Sequence, residues 1–118
     1  MLYVEDDTIA CDLIKSMLNH RYKDQVVHVA HTSKEGLELF RKHHDSLVIT
    51  DTDLFKADSF RLAQSVRSES PETIIIFITG NCKTDSFPEC WKSYPYHVLY
   101  KPLDFKALTG VLDRYVKR

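Results

Sequence analysis

Short apolar runs alternate with segments of helical period along the whole chain. Leu2-Tyr3-Val4 is a first strand-sized run. Asp7 or Thr8 can then cap a helix carrying Ile9, Leu13, Ile14, Met17 and Leu18 at helical spacing. Val26-Val27-His28-Val29 predicts a second strand, and Thr32 to Glu35 forms a T-S-K-E capping box ahead of Leu37 and Phe40. Leu47 to Thr50 predicts a third strand. A helix beginning near Asp58 or Ser59 follows, with Leu62, Ala63 and Val66 in period. That helix should stop before Pro71, because the residue preceding a proline is biased away from helical geometry. Ile74 to Ile78 is apolar throughout, as expected of a strand covered on both faces. His97 to Tyr100 predicts the last strand. Asp104 then caps a final helix with Phe105, Leu108, Val111, Leu112 and Tyr115.

Five strands alternating with about five helices predict an α/β fold with a parallel sheet and right-handed crossovers. One stretch breaks the pattern. Between Cys82 and Tyr96, Pro88 and Pro95 interrupt the period and Phe87, Trp91, Tyr94 and Tyr96 crowd together, so a short or distorted fourth helix is expected there.

Length and charge narrow the picture. The 118 residues suit a single domain, residues 1–118, around one core. A formal net charge of -1 gives no electrostatic reason to expect nucleic acid or an anionic membrane as partner. Cys11, Cys82 and Cys90 cannot pair completely and their spacing matches no zinc motif, so a reducing, cytoplasmic setting is the simpler expectation. The apolar runs are too short to span a bilayer, and a strand starting directly after Met1 leaves no signal peptide in this chain.

The chemistry gathers at strand ends. Glu5-Asp6-Asp7, Asp51, Thr79 and Lys101-Pro102 each follow an apolar run, which places them at the carboxyl edge where open α/β sheets build their sites. Carboxylates, a hydroxyl and an ammonium at one rim suit metal-assisted transfer of an anionic group, with Asp51 as the candidate acceptor. Taken singly, an acid after a strand is more often a helix cap, and Asp7, Asp58 and Asp104 are read that way. The histidines show no ligand spacing.

Y-V-E-D-D, V-I-T-D, I-F-I-T-G and L-Y-K-P-L-D, in this order and at these separations, resemble the four motifs of the receiver domain of two-component response regulators. The resemblance covers essentially the whole chain. It implies a flavodoxin-like, doubly wound (βα)5 fold with a five-stranded parallel sheet in the order 2-1-3-4-5 and helices on both faces. It implies that Asp51 is the phosphoacceptor, Thr79 the switch hydroxyl and Lys101 the phosphoryl contact. Glu5 and Asp6 match the metal-binding acids, with Asp6 and Asp7 as the register one residue on. The implied cofactor is Mg2+, held directly by Asp6 and Asp51, through water by Glu5 and by the backbone carbonyl of Asp53. The Lys101-Pro102 peptide bond is cis in that family.

The resemblance also implies partners. A sensor histidine kinase or phosphotransfer protein supplies the phosphoryl group to a signalling module that is not an enzyme, beyond self-phosphorylation and slow autodephosphorylation. An output domain, a protein partner or a second copy meets the face of the fourth helix, last strand and last helix. The domain itself binds neither nucleic acid nor membrane.

Two departures bear on mechanism. The family's aromatic three residues before the lysine is Val98 here, and Leu54-Phe55 and Asp58-Ser59 replace its usual Met-Pro and Asp-Gly. Val98, together with the irregular stretch from Cys82 to Tyr96, makes a pseudo-receiver that binds partners without phosphorylation one rival. A phosphohydrolase using Asp51-Thr52-Asp53 as a D-x-D motif is another, opposed by the strand-helix-strand-helix block that precedes it.

Overall fold

The computed structural model describes residues 1–51, 57–80 and 96–116. Leu2–Val4 (β1), His28–Ala30 (β2), Leu47–Asp51 (β3), Ile74–Thr79 (β4) and His97–Tyr100 (β5) form one sheet in the order β2-β1-β3-β4-β5. Every pairing is parallel. This is the expected doubly wound order, with β3 at the centre. The helices described are Thr8–Arg21 (α1), Ser33–His43 (α2), Ala57–Glu69 (α3) and the last helix, Phe105–Leu112 (α4). The expected fourth helix with Phe87, Trp91 and Tyr94, the cysteines Cys82 and Cys90, and the loop residues Asp53, Leu54 and Phe55 lie outside the described residues.

Alternation along the strands supplies two cores, one on each face of the sheet. On one side Tyr3, Ile49, Ile76 and Ile78 pack with Cys11, Ile14 and Leu18 of α1 and with Leu108 and Leu112 of α4. On the other, Val4, Val48, Ile75 and Phe77 pack with Phe40 of α2 and with Leu62, Ala63 and Val66 of α3. Each aliphatic side chain buried this way contributes about 1.5–3 kcal/mol. Gly36 lets α2 lie close over β1, since a Cβ there would stand 3.0 Å from Val4 Cγ2 and 3.3 Å from Leu62 Cδ2.

Caps form where their residue types predict. Asp7 accepts from the backbone N–H groups of Ile9 and Ala10, Thr32 from that of Glu35, and Asp104 from that of Lys106. α3 ends at Glu69, ahead of Ser70-Pro71.

Three local expectations move: the last helix closes at Leu112, so Tyr115 falls beyond it and is exposed while Val116 is buried, and β2 and α1 shift as well. The second strand is His28–Ala30 rather than Val26 to Val29, and Val26 is exposed. Its position is set by register with β1, where Leu2 pairs with His28 and Val4 with Ala30. His28 is held further by Asp45, Nδ1 to Oδ2 at 2.8 Å, and stacks on His43. On α1 the inward stripe is Cys11, Ile14 and Leu18, while Ile9 is 81% and Leu13 59% exposed. Counting Cys11 as a small apolar residue restores the period.

Candidate functional site

β1 and β3 run side by side, with Val4 opposite Thr50, so the residues that follow emerge together at the carboxyl edge. Glu5, Asp6 and Asp51 each present a carboxylate oxygen within 4.8 Å of the others. Glu5 and Asp51 are buried and Asp6 is exposed. The two acids that lie beside Asp51 are thus Glu5 and Asp6, while Asp7 caps α1.

The ammonium comes from the far edge of the sheet. Lys101 follows β5, and its Nζ lies 2.7 Å from Asp51 Oδ2. The Asp51 side chain is only 3% exposed, whereas that of Lys101 is 36% exposed. Thr79 ends β4, one step beyond the Ile78 that pairs with Asp51, and it is buried. The backbone N–H of Lys101 donates to the Thr79 carbonyl at 2.8 Å. The Lys101-Pro102 peptide bond is cis. Asp53 lies outside the described residues. Val98 packs partly buried on the α2/α3 side, and Tyr96 on the same side meets Phe77 edge-on at 5.5 Å.

Glu5 is tied at several atoms. Its backbone N–H donates to the Ala30 carbonyl at 3.0 Å. Its own carbonyl accepts from the Cys11 thiol at 3.1 Å and faces His31 Nδ1 at 3.2 Å, an arrangement that puts the imidazole proton on Nδ1. Its Oε2 accepts from the Tyr3 hydroxyl at 3.5 Å. Burial, then the negative charge of Asp51 and a hydrogen bond with it, pushes the Glu5 carboxyl up to about 7, with Lys101 pulling the other way. Burial, then the charge of Glu5, raises the Cys11 thiol to about 12. The same two causes hold the Tyr3 phenol well above its ordinary value, so it remains a proton donor.

Tyr3, Cys11 and His31 were not singled out as site residues from the sequence. Tyr3 was legible in principle, because residues i and i+2 of a strand share a face. Cys11 and His31 reach Glu5 only through the packing of α1 and the turn after β2.

The donor set is chemically specific. Three converging carboxylates suit a hard cation that prefers oxygen ligands. A cation there would offset both the burial and the like charge of Asp51 that push the Glu5 carboxyl up. The residues present thus fit a divalent metal such as Mg2+.

Fold and rim define a doubly wound sheet with an acidic site at its carboxyl edge. The family model of the response regulator receiver domain matches residues 1–113, and the chain belongs to that family of two-component signalling domains. Among its relatives, the transcriptional regulatory protein ZraR of Escherichia coli (strain K12) is 25% identical over 114 residues, covering 97% of this chain and 25% of that protein. The transcriptional regulatory protein RprY of Bacteroides fragilis (strain YCH46) is 27% identical over 118 residues, covering all of this chain and 49% of that protein. The chain thus spans a quarter to a half of the length of these relatives. The crystal structure of a response regulator receiver domain protein from Clostridium thermocellum superposes with a TM-score of 0.83 at 23% identity, over 96% of this chain and 90% of that one. No helix among the described residues is long and apolar enough to cross a membrane.

Proposed function

We propose that this chain is a working phosphoacceptor: a single receiver domain, residues 1–118, that takes a phosphoryl group on Asp51 from a histidine kinase or phosphotransfer protein in the cytoplasm. The observation that carries the reading is the convergence of Glu5, Asp6 and Asp51 within 4.8 Å, with the Lys101 ammonium 2.7 Å from Asp51. In the transfer, an Asp51 carboxylate oxygen forms a bond to phosphorus as the P–N bond of a phosphohistidine breaks, and the departing imidazole takes up a proton. A Mg2+ ion at the acidic site supplies charge neutralisation for the phosphoryl oxygens. Asp6 and Asp51 would hold it directly, with Glu5 contributing through water and the Asp53 carbonyl completing the set as the family resemblance implies. Lys101 exchanges its ion pair with Asp51 for a phosphoryl oxygen, and the Thr79 hydroxyl donates to another. The added charge of roughly -1.5 to -2 then shifts the face built by the segment after β4, by β5 and by α4, which meets an output domain, a protein partner or a second copy.

Intact mass after incubation with acetyl phosphate and Mg2+ tests this. Wild type should gain one phosphoryl group and Asp51→Asn none. A folded wild type that binds Mg2+ and gains nothing supports the second reading, a binding module that keeps the fold without the transfer. Val98 at the family's aromatic position is what favours that alternative.

A further inference from the structure

We propose that Tyr3 is a positioning residue of the acidic site, its hydroxyl orienting the Glu5 carboxylate toward the bound cation. The inference rests on the functional reading above and deepens it. Tyr3 and Glu5 stand two residues apart at the end of β1, so they fall on one face of the sheet. Tyr3 is 3% exposed and packs in the same core cluster as Cys11 and Ile14 of α1. A buried phenol needs an acceptor, and among the described residues the one it reaches is Glu5 Oε2.

The backbone of Glu5 is fixed independently, by the Ala30 carbonyl, the Cys11 thiol and His31. Its carbonyl and N–H would stay in place without the phenol. What Tyr3 adds is the direction of the side chain. Without metal the Glu5 carboxyl is hydrogen-bonded to Asp51; once a cation takes up the Asp51 carboxylate that bond would be lost, and the Glu5 side chain would be free to turn away. The phenol opposes that by holding one carboxylate oxygen, and it does so from the core, where it cannot swing aside. Direction matters because Mg2+ tolerates little departure from octahedral geometry, so a misaimed ligand or water partner is a lost one. Partners that orient metal ligands commonly change metal affinity by about 10–100-fold. Here the contact is 3.5 Å, longer than the roughly 2.7 Å of a strong O–H···O bond, so the effect belongs at the low end of that range or below it.

The test is Tyr3→Phe, which removes the hydroxyl and keeps the packed ring. Mg2+ binding is measured by calorimetric titration, and phosphorylation by acetyl phosphate is followed across a Mg2+ series. The expected result is a Mg2+ dissociation constant raised about 5–10-fold, with the rate at saturating Mg2+ unchanged. Tyr22→Phe is the control. Tyr22 is also buried and hydrogen-bonded, but its partner is Asp113 on the chain just after α4, so its loss should lower the melting temperature and leave Mg2+ affinity alone. Equal Mg2+ affinity in wild type and Tyr3→Phe overturns the inference and leaves the functional reading standing. So does a Tyr22→Phe protein whose Mg2+ affinity falls as far as that of Tyr3→Phe. A wild type with no saturable Mg2+ binding overturns both.

Discussion

Lys101 is joined to Thr79 by its backbone N–H and to Asp51 by its ammonium, at 2.8 Å and 2.7 Å. The hydroxyl-bearing strand end and the buried carboxylate therefore share one anchor, just after β5. Truncating the side chain separates the two links, since the backbone bond does not depend on it.

Lys101→Ala should lower stability without metal by about 1–3 kcal/mol, because Asp51 is left buried without its cation. Saturating Mg2+ should restore most of that loss. Urea unfolding with and without Mg2+ measures both terms. An equal loss in the two conditions would show that the lysine matters for packing and not for charge.

Glu5 makes stability depend on pH in an unusual direction for a carboxylate. Its carboxyl rises from 4.5 to about 7 on folding, so the folded protein holds a proton that the unfolded chain releases over that interval. The cost is absent below the unfolded value and complete above the folded one. Relative to Glu5→Gln, metal-free wild type should lose about 2–3 kcal/mol as pH rises through this window. Parallel stability curves for the two proteins from pH 4.5 to 7 would rule it out.

Thr50 Oγ1 is buried with no hydrogen-bond partner among the described residues. Replacing it with the isosteric valine removes an unmet polar group from a core position. Thr50→Val should stabilise the fold by about 1 kcal/mol and raise the melting temperature by about 4 °C. A lower melting temperature would mean that the hydroxyl has a role in folding.

The ends of α1 and α4 are tied by one carboxylate. Tyr22 OH donates to Asp113 Oδ1 at 2.7 Å and Arg21 Nη2 to Oδ2 at 2.6 Å. Tyr22→Phe should cost about 1 kcal/mol, and Asp113→Ala about 1–3 kcal/mol because it leaves a buried phenol without that acceptor. Chemical denaturation orders the two, and the reverse order would contradict the assignment.

The sheet and its rim were legible because each strand is short, apolar and closed by a polar residue whose type matches its chemistry. Asp51, Thr79 and Lys101 stand at the strand ends where the sequence places them. Phase was harder. The apolar residues of α1 fit more than one stripe, and the cap at Asp7 together with contact to β1 selected the one through Cys11. The second strand followed its register with Leu2 over the more apolar Val26-Val27. Tyr3 was passed over because an aromatic in an apolar run reads as core, which it is. Its hydroxyl bears on the site only because an acid, Glu5, stands two residues on, directly after β1.

The site draws its carboxylates and its ammonium from parts of the sheet with different support. β1 and β3 each have a strand on both sides, whereas among the described residues β5 is an edge strand paired only with β4. Amide protons of Tyr3 and Ile49 should thus exchange only when the whole domain opens, and those of β5 through smaller openings. The carboxylates of the site stand at the ends of strands supported on both sides, and the lysine that answers them sits on the border expected to yield first. On the proposed reading, a change of charge at Asp51 should register as a displacement along one margin of the molecule, with the centre as the fixed reference against which that margin moves.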